Sequence, residues 1–125
     1  MKPTRTEIKQ AIQLVRNGIQ WKPGSAERHL RKRKNRKHLL QSATVADYEK
    51  IIQQIVGDGE AKVYIFWYSG VPYVTIVTLL QDKTWLAMFN LNGLMETAFF
   101  VKRPHNYLND PDYKYISLLR EVFDD

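Results

Sequence analysis

At Gly57-Asp58-Gly59 the hydrophobic rhythm of this chain changes, and that change limits the possible folds more than any other feature. Upstream, apolar residues recur at helical spacing. Ile8, Ala11, Ile12, Val15 and Ile19 make one stripe, opened by Thr4 and Glu7 in a capping-box pattern. Val45, Tyr48, Ile51, Ile52 and Ile55 make another, with Thr44 and Asp47 at its start. Between them Pro23-Gly24 forces a turn, and Ser25 can cap a poorly amphipathic helix with little to bury beyond Ala26, Leu30, Leu39 and Leu40. Downstream, Lys62 to Tyr68, Tyr73 to Leu80, Trp85 to Asn90 and Met95 to Val101 are rich in β-branched and aromatic residues.

The breaks between these runs, Ser69-Gly70, Gln81-Asp82-Lys83 and Asn92-Gly93, are too short for anything but antiparallel neighbours. Asn92-Gly93 is the strongest hairpin signal, since both central residues of a two-residue turn of that kind need positive φ. Tyr113 to Phe123, with Ile116, Leu119 and Phe123 aligned, predicts a last short helix. The expectation is one α+β domain over residues 1–125. A helical, basic part (1–57) packs on one face of a four-stranded antiparallel sheet (58–103), and a C-terminal segment (104–125) follows.

Charge is distributed unevenly. Up to Gln41, twelve Lys/Arg stand against two Glu, a net +10, whereas the rest carries seven basic and eleven acidic residues, a net −4. The excess is concentrated in Arg28, Arg31, Lys32, Arg33, Lys34, Arg36 and Lys37, with His29 and His38 among them. So dense a run repels itself unless a polyanion compensates it or solvent screens it, and it predicts one strongly positive face that favours RNA or DNA. Arg31, Lys32, Arg33, Lys34, Arg36, Lys37 and His38 are the expected nucleic-acid contacts. The run lacks the large apolar residues of an interfacial helix, and no stretch approaches the ~18 apolar residues of a membrane span, so no membrane partner is expected. The absence of cysteine excludes disulfides and thiolate metal sites and fits a reducing cytoplasm.

Imidazole is the side chain whose ordinary pKa lies nearest neutrality, so histidines among cations suggest proton transfer beside a held phosphate. His29, flanked by Arg28 and Arg31, is the first candidate. His105, just beyond the last strand, and Thr97, the hydroxyl centred in that strand, are the others. Tyr64, Tyr68 and Tyr73 offer an aromatic platform for bases. No Gly-rich phosphate loop, His-Glu-x-x-His or nucleophile elbow is present, and neither metal nor cofactor is expected.

Glu27-Arg28-His29-Leu30-Arg31-Lys32, the helix around Tyr48, and Asn92-Gly93-Leu94-Met95-Glu96-Thr97-Ala98-Phe99 together resemble a ribonuclease superfamily. It groups barnase, EndoU, the tRNA-cleaving colicins and RelE with many bacterial and phage toxin domains. The resemblance implies a metal-independent endoribonuclease in which His29, Arg28, Thr97 and His105 are catalytic and the 2′-hydroxyl of the RNA is the nucleophile. It also implies RNA, tRNA included, as substrate and an acidic immunity or antitoxin protein as partner. Two other readings stay open: a nucleic-acid-binding module without chemistry, and an assembly protein whose basic face meets an acidic partner. Convergence of His29 and Thr97 in a cleft separates the enzyme from both.

Overall fold

A computed structural model describes residues 2–124. Three helices come first: α1 (Arg5–Asn17), α2 (Ser25–Asn35) and α3 (Val45–Gly57). The strands β1 (Lys62–Tyr68), β2 (Val71–Leu80), β3 (Lys83–Phe89) and β4 (Met95–Val101) follow. The chain then makes the short α4 (Pro104–Leu108), a fifth strand β5 (Tyr113–Leu118) and α5 (Leu119–Phe123). Both capping boxes form: Thr4 and Thr44 side chains accept from the backbone N–H groups of Glu7 and Asp47, whose carboxylates accept in return. Ser25 is not the cap of α2. Gly24, with φ +74°, holds that place, and Ser25 is buried in the first turn.

The sheet has five antiparallel strands in the order β4-β3-β2-β1-β5, one more than the sequence predicts. The extra strand occupies most of the expected C-terminal helix, of which only Leu119–Phe123 is helical. Tyr113, Tyr115 and Ile116 favour a pleated surface, and β1 has an unpaired edge for them to satisfy. The sheet therefore extends beyond residue 103 into the C-terminal segment.

One face of the sheet, including Val63, Ile65, Val74, Ile76, Ala87 and Phe89, packs on Ile8, Ile12, Val15, Tyr48, Ile52 and Ile55 of the helices. The other face carries a smaller cluster of Val77, Leu86, Met88, Val101 and Tyr113, bordered by Tyr64, Phe66, Tyr73 and Phe99.

The hairpin turns also depart from expectation. Positive φ at successive residues occurs at Ser69-Gly70 and at Gln81-Asp82, the latter with no glycine at all. At Asn92-Gly93 only Gly93 is left-handed, at φ +79°. There the Asn90 side chain accepts from the N–H groups of Asn92 and Leu94, which makes a longer, side-chain-braced connection. A Cβ on Gly93 would stand 2.7 Å from the Leu14 Cβ of α1, so both the turn and the helix contact require glycine.

Candidate functional site

The site lies where α2 meets β4, an edge strand of the sheet. A bulge in the β3–β4 ladder, at Met88/Phe89, leaves Glu96 as an extra residue between the paired Met95 and Thr97. Its effect is to change the alternation. Met95 faces the helical core, and after the bulge Ala98 and Phe100 do, so Thr97 and Phe99 turn the other way. Both remain within reach of α2, which runs along the strand edge.

The backbone groups of that edge are satisfied one after another by the N-terminal half of the chain. Met95 N–H donates to the Gln20 carbonyl at 2.9 Å. The buried Tyr48 hydroxyl donates to the Ala98 carbonyl and accepts from the Ala98 N–H at 3.2 Å. Phe100 N–H donates to His38 Nδ1 at 3.4 Å. An exposed edge of this kind would otherwise be a template for pairing with another chain.

His29 Nδ1 and Thr97 Oγ1 are 3.3 Å apart, within one hydrogen bond of each other, with donor and acceptor set by the imidazole tautomer. The imidazole is half-buried and stacks on Trp21 at 5.6 Å between ring centroids, and Trp21 stacks in turn on Tyr48 at 5.7 Å. Trp21 is fixed at its polar end by a 3.0 Å hydrogen bond from its indole N–H to Glu49. A column of three rings thus holds His29 against the same tyrosine that anchors β4. Burial lowers the His29 pKa, and the Arg33, Lys32 and Arg28 charges lower it further, which keeps the ring neutral at physiological pH.

His29 and Thr97 open onto a cleft of about 380 Å³ whose other walls are Lys32, Arg33, Arg36, Glu96, Phe99 and Tyr107. Arg33 differs from its neighbours in the basic run: it is 2% exposed. Its guanidinium lies over the Phe99 ring at 5.3 Å and donates to His38 Nδ1 at 3.2 Å, while its Nε has no partner. It is a buried cation beneath the cleft, not part of the solvent-facing row. Arg28, Arg31, Lys32, Arg36 and Lys37 are exposed, and Lys34 is half-buried. Arg28 is beside His29 on α2 but outside the walls of the cleft.

His38 accepts from both Arg33 and the Phe100 N–H at Nδ1, so that nitrogen must stay unprotonated. Burial, reinforced by Arg33, Arg36, Lys102 and Lys83, lowers its pKa to about 4 from an ordinary 6.5. The unfolded chain takes up this proton as pH falls through 6.5, whereas the folded chain resists it down to about 4. The contribution of neutral His38 to stability is therefore complete above pH 6.5 and is lost as pH falls toward 4, and His29 adds to it with the same sign. Urea titrations at pH 7 and pH 4.5 should show a loss in the wild type that His38→Gln reduces. An equal loss in the two proteins would exclude His38 as the titrating group.

His105 is elsewhere. It is exposed at the start of α4 and lines a separate hollow with Asp58, Lys62, Tyr64 and Thr78, in which the Thr78 hydroxyl donates to Asp58. Tyr64, Tyr68 and Tyr73 do not converge on the cleft: Tyr68 is exposed, whereas Tyr64 and Tyr73 border the second apolar cluster. Sequence reasoning does not single out Trp21 or the buried state of Arg33. For Arg33 a signal exists, because Ala26, His29, Leu30 and Arg33 follow the spacing of one helix face. Among the described residues no group of His, Asp and Glu is arranged to hold a metal ion, and no helix is long and apolar enough to cross a membrane. Comparison with protein-family models, curated proteins and solved structures finds no match to this chain.

Proposed function

We propose that this domain is an endoribonuclease that cleaves RNA by transesterification, with His29 and Thr97 at its reacting centre. The observation that carries the reading is the pairing of a neutral, cation-flanked histidine with a strand hydroxyl at 3.3 Å in a cleft walled by Lys32 and Arg36. In the tautomer whose Nδ1–H donates to Thr97, the His29 Nε2 lone pair is free to accept a proton. It takes that proton from the ribose 2′-hydroxyl as the 2′-oxygen attacks phosphorus. The bond to the 5′-oxygen breaks, and the Lys32 ammonium supplies the proton for the leaving group. Lys32 and Arg36 offset the charge that grows on the phosphoryl oxygens. The products are a 2′,3′-cyclic phosphate and a 5′-hydroxyl.

Kinship with the barnase, EndoU, colicin and RelE group belongs to the same proposal. It is supported by helices that precede an antiparallel sheet, the basic His-bearing α2 and a threonine in β4. An acidic immunity or antitoxin protein would be drawn to the same exposed cations.

Incubation with total tRNA and mRNA, with and without EDTA, tests the reading through the chemistry of the product ends. Cleavage that persists in EDTA and leaves cyclic phosphates is the expected result. Binding without any cutting would leave the domain a nucleic-acid-binding module, and that reading has its own support in the exposed row Arg28, Arg31, Lys32, Arg36 and Lys37. On either reading affinity for single-stranded RNA should fall with salt, with a log–log slope of about −0.7 per phosphate neutralised. Replacing Arg31, Lys32, Arg36 and Lys37 by alanine should flatten that slope. Affinity indifferent to salt would exclude a polyanion partner.

A further inference from the structure

A second groove, of about 780 Å³, adjoins the cleft and shares Arg36, Phe99 and Tyr107 with it. Its remaining walls include Phe100 near the end of β4, Asn106 in α4, and Lys102 and Arg103 in the connection between them. Three features of this groove are independent of His29. First, Tyr107 is 39% exposed and is one of the residues that line the groove. The ring is braced from behind: Phe99 meets it edge-on at 5.7 Å, Tyr113 packs against it at 5.3 Å, and the Tyr113 hydroxyl donates to its oxygen at 3.0 Å. A ring held this way loses little freedom when something stacks on it.

Second, the rim is cationic. Arg36, Lys102 and Arg103 are exposed, and among the described residues none of them forms an ion pair. Third, Asn106 is exposed in the same groove, and its amide can both donate and accept in one plane. An aromatic face, an adaptable amide and a rim of unpaired cations are the complement of a nucleotide, with base, base edge and phosphate each provided for.

We propose that this groove is a base subsite, in which the nucleotide next to the scissile phosphate stacks on Tyr107 while Arg103 and Lys102 hold the adjoining phosphate. The inference rests on the reading of the His29–Thr97 cleft as the phosphate-handling site, and it goes further in requiring a single-stranded substrate. A base paired in a duplex is stacked on its neighbours and unavailable to the ring.

The test is binding, independent of cleavage. A short RNA strand methylated at every 2′-oxygen cannot supply the nucleophile, so its affinity is read by fluorescence anisotropy without turnover. The wild-type protein should bind this strand about tenfold or more tightly than the same strand with one abasic position, scanned along its length, and more tightly than its duplex. Tyr107→Leu should remove that preference and leave affinity for the best-placed abasic strand unchanged, whereas Tyr107→Phe should preserve it. Arg103→Gln should weaken intact and abasic strands alike and lower the salt slope. Equal affinity of wild type for intact and abasic strands at every position would overturn the subsite, and this measurement needs no variant to fold. Tyr107→Leu weakening both strands equally would overturn it as well. If the base preference holds and unmethylated RNA is never cut, the subsite stands and the ribonuclease reading fails. If RNA is cut with no base preference, the reverse is true.

Discussion

Replacing His29 by alanine is expected to lower the rate of RNA cleavage by about 10²-fold or more while leaving RNA affinity nearly unchanged. The separation of the two effects follows from the geometry. On the proposed reading the imidazole is a proton acceptor beside Thr97, whereas the exposed charge available to RNA belongs to Arg28, Arg31, Lys32, Arg36 and Lys37. His29 also packs on Trp21, so some stability is lost on truncation, and the comparison should be made well below the melting temperature of the variant. His29→Gln keeps much of the packing and should be as inactive. Single-turnover cleavage with saturating enzyme isolates the chemical step from binding. A His29→Ala protein that cuts as fast as wild type would remove His29 from the chemistry.

The largest expected effect on stability is at a residue that need not touch RNA at all. Tyr48→Phe removes one oxygen and leaves both the N–H and the C=O of Ala98 without a partner in a buried setting. Unsatisfied buried groups cost about 1–3 kcal/mol each, so a loss of ~2–4 kcal/mol in unfolding free energy is expected by denaturant titration. The tyrosine pKa, pushed up to about 12 chiefly by burial, keeps the hydroxyl protonated and able to donate throughout the ordinary pH range. Loss of the hydroxyl should also loosen β4 next to Thr97, and any activity should fall at temperatures where the variant is still folded. A Tyr48→Phe protein as stable as wild type would mean that water or a shifted strand takes over the two bonds.

The parts of this fold that could be read from residues are those with local causes. Thr4 with Glu7 and Thr44 with Asp47 signal their helices because cap and partner lie three residues apart. The bounds of β1 and β4 coincide with their β-branched and aromatic runs. What was missed depends on partners distant in sequence. Tyr113–Leu118 carries both a helical alignment and strand-forming residues, and the open edge of β1 decides between them. Asn92-Gly93 resembles a two-residue turn, but the Asn90 side chain and the approach of Leu14 make it a longer one.

The candidate site divides in the same way. His29 and Thr97 stand out in the sequence for their chemistry, and the structure brings them together; His105 stands out for its place after a strand and lies in another hollow. Arg33 is one cation among seven in the string of letters; its spacing from Ala26, His29 and Leu30 marks a shared helix face, and the docking of α2 on β4 buries it. The extra residue at Glu96, which turns Thr97 away from the core, shows no mark in the sequence.

The separation of 68 positions between His29 and Thr97 has a consequence for the order in which this protein acquires its properties. The cations of α2 leave the ribosome long before β4 is translated, and they need no tertiary structure to attract a polyanion. Whatever chemistry His29 performs beside Thr97 must wait until β1 to β4 have paired and Tyr48 has closed over the last of them. A contact of such long range forms late, because the chain between must be ordered first. On the proposed reading, a nascent or half-folded chain would therefore hold RNA with His29 and Thr97 still apart. The cell that makes this protein would meet a polycation first and, only after β4 docks, the His29–Thr97 pair assembled.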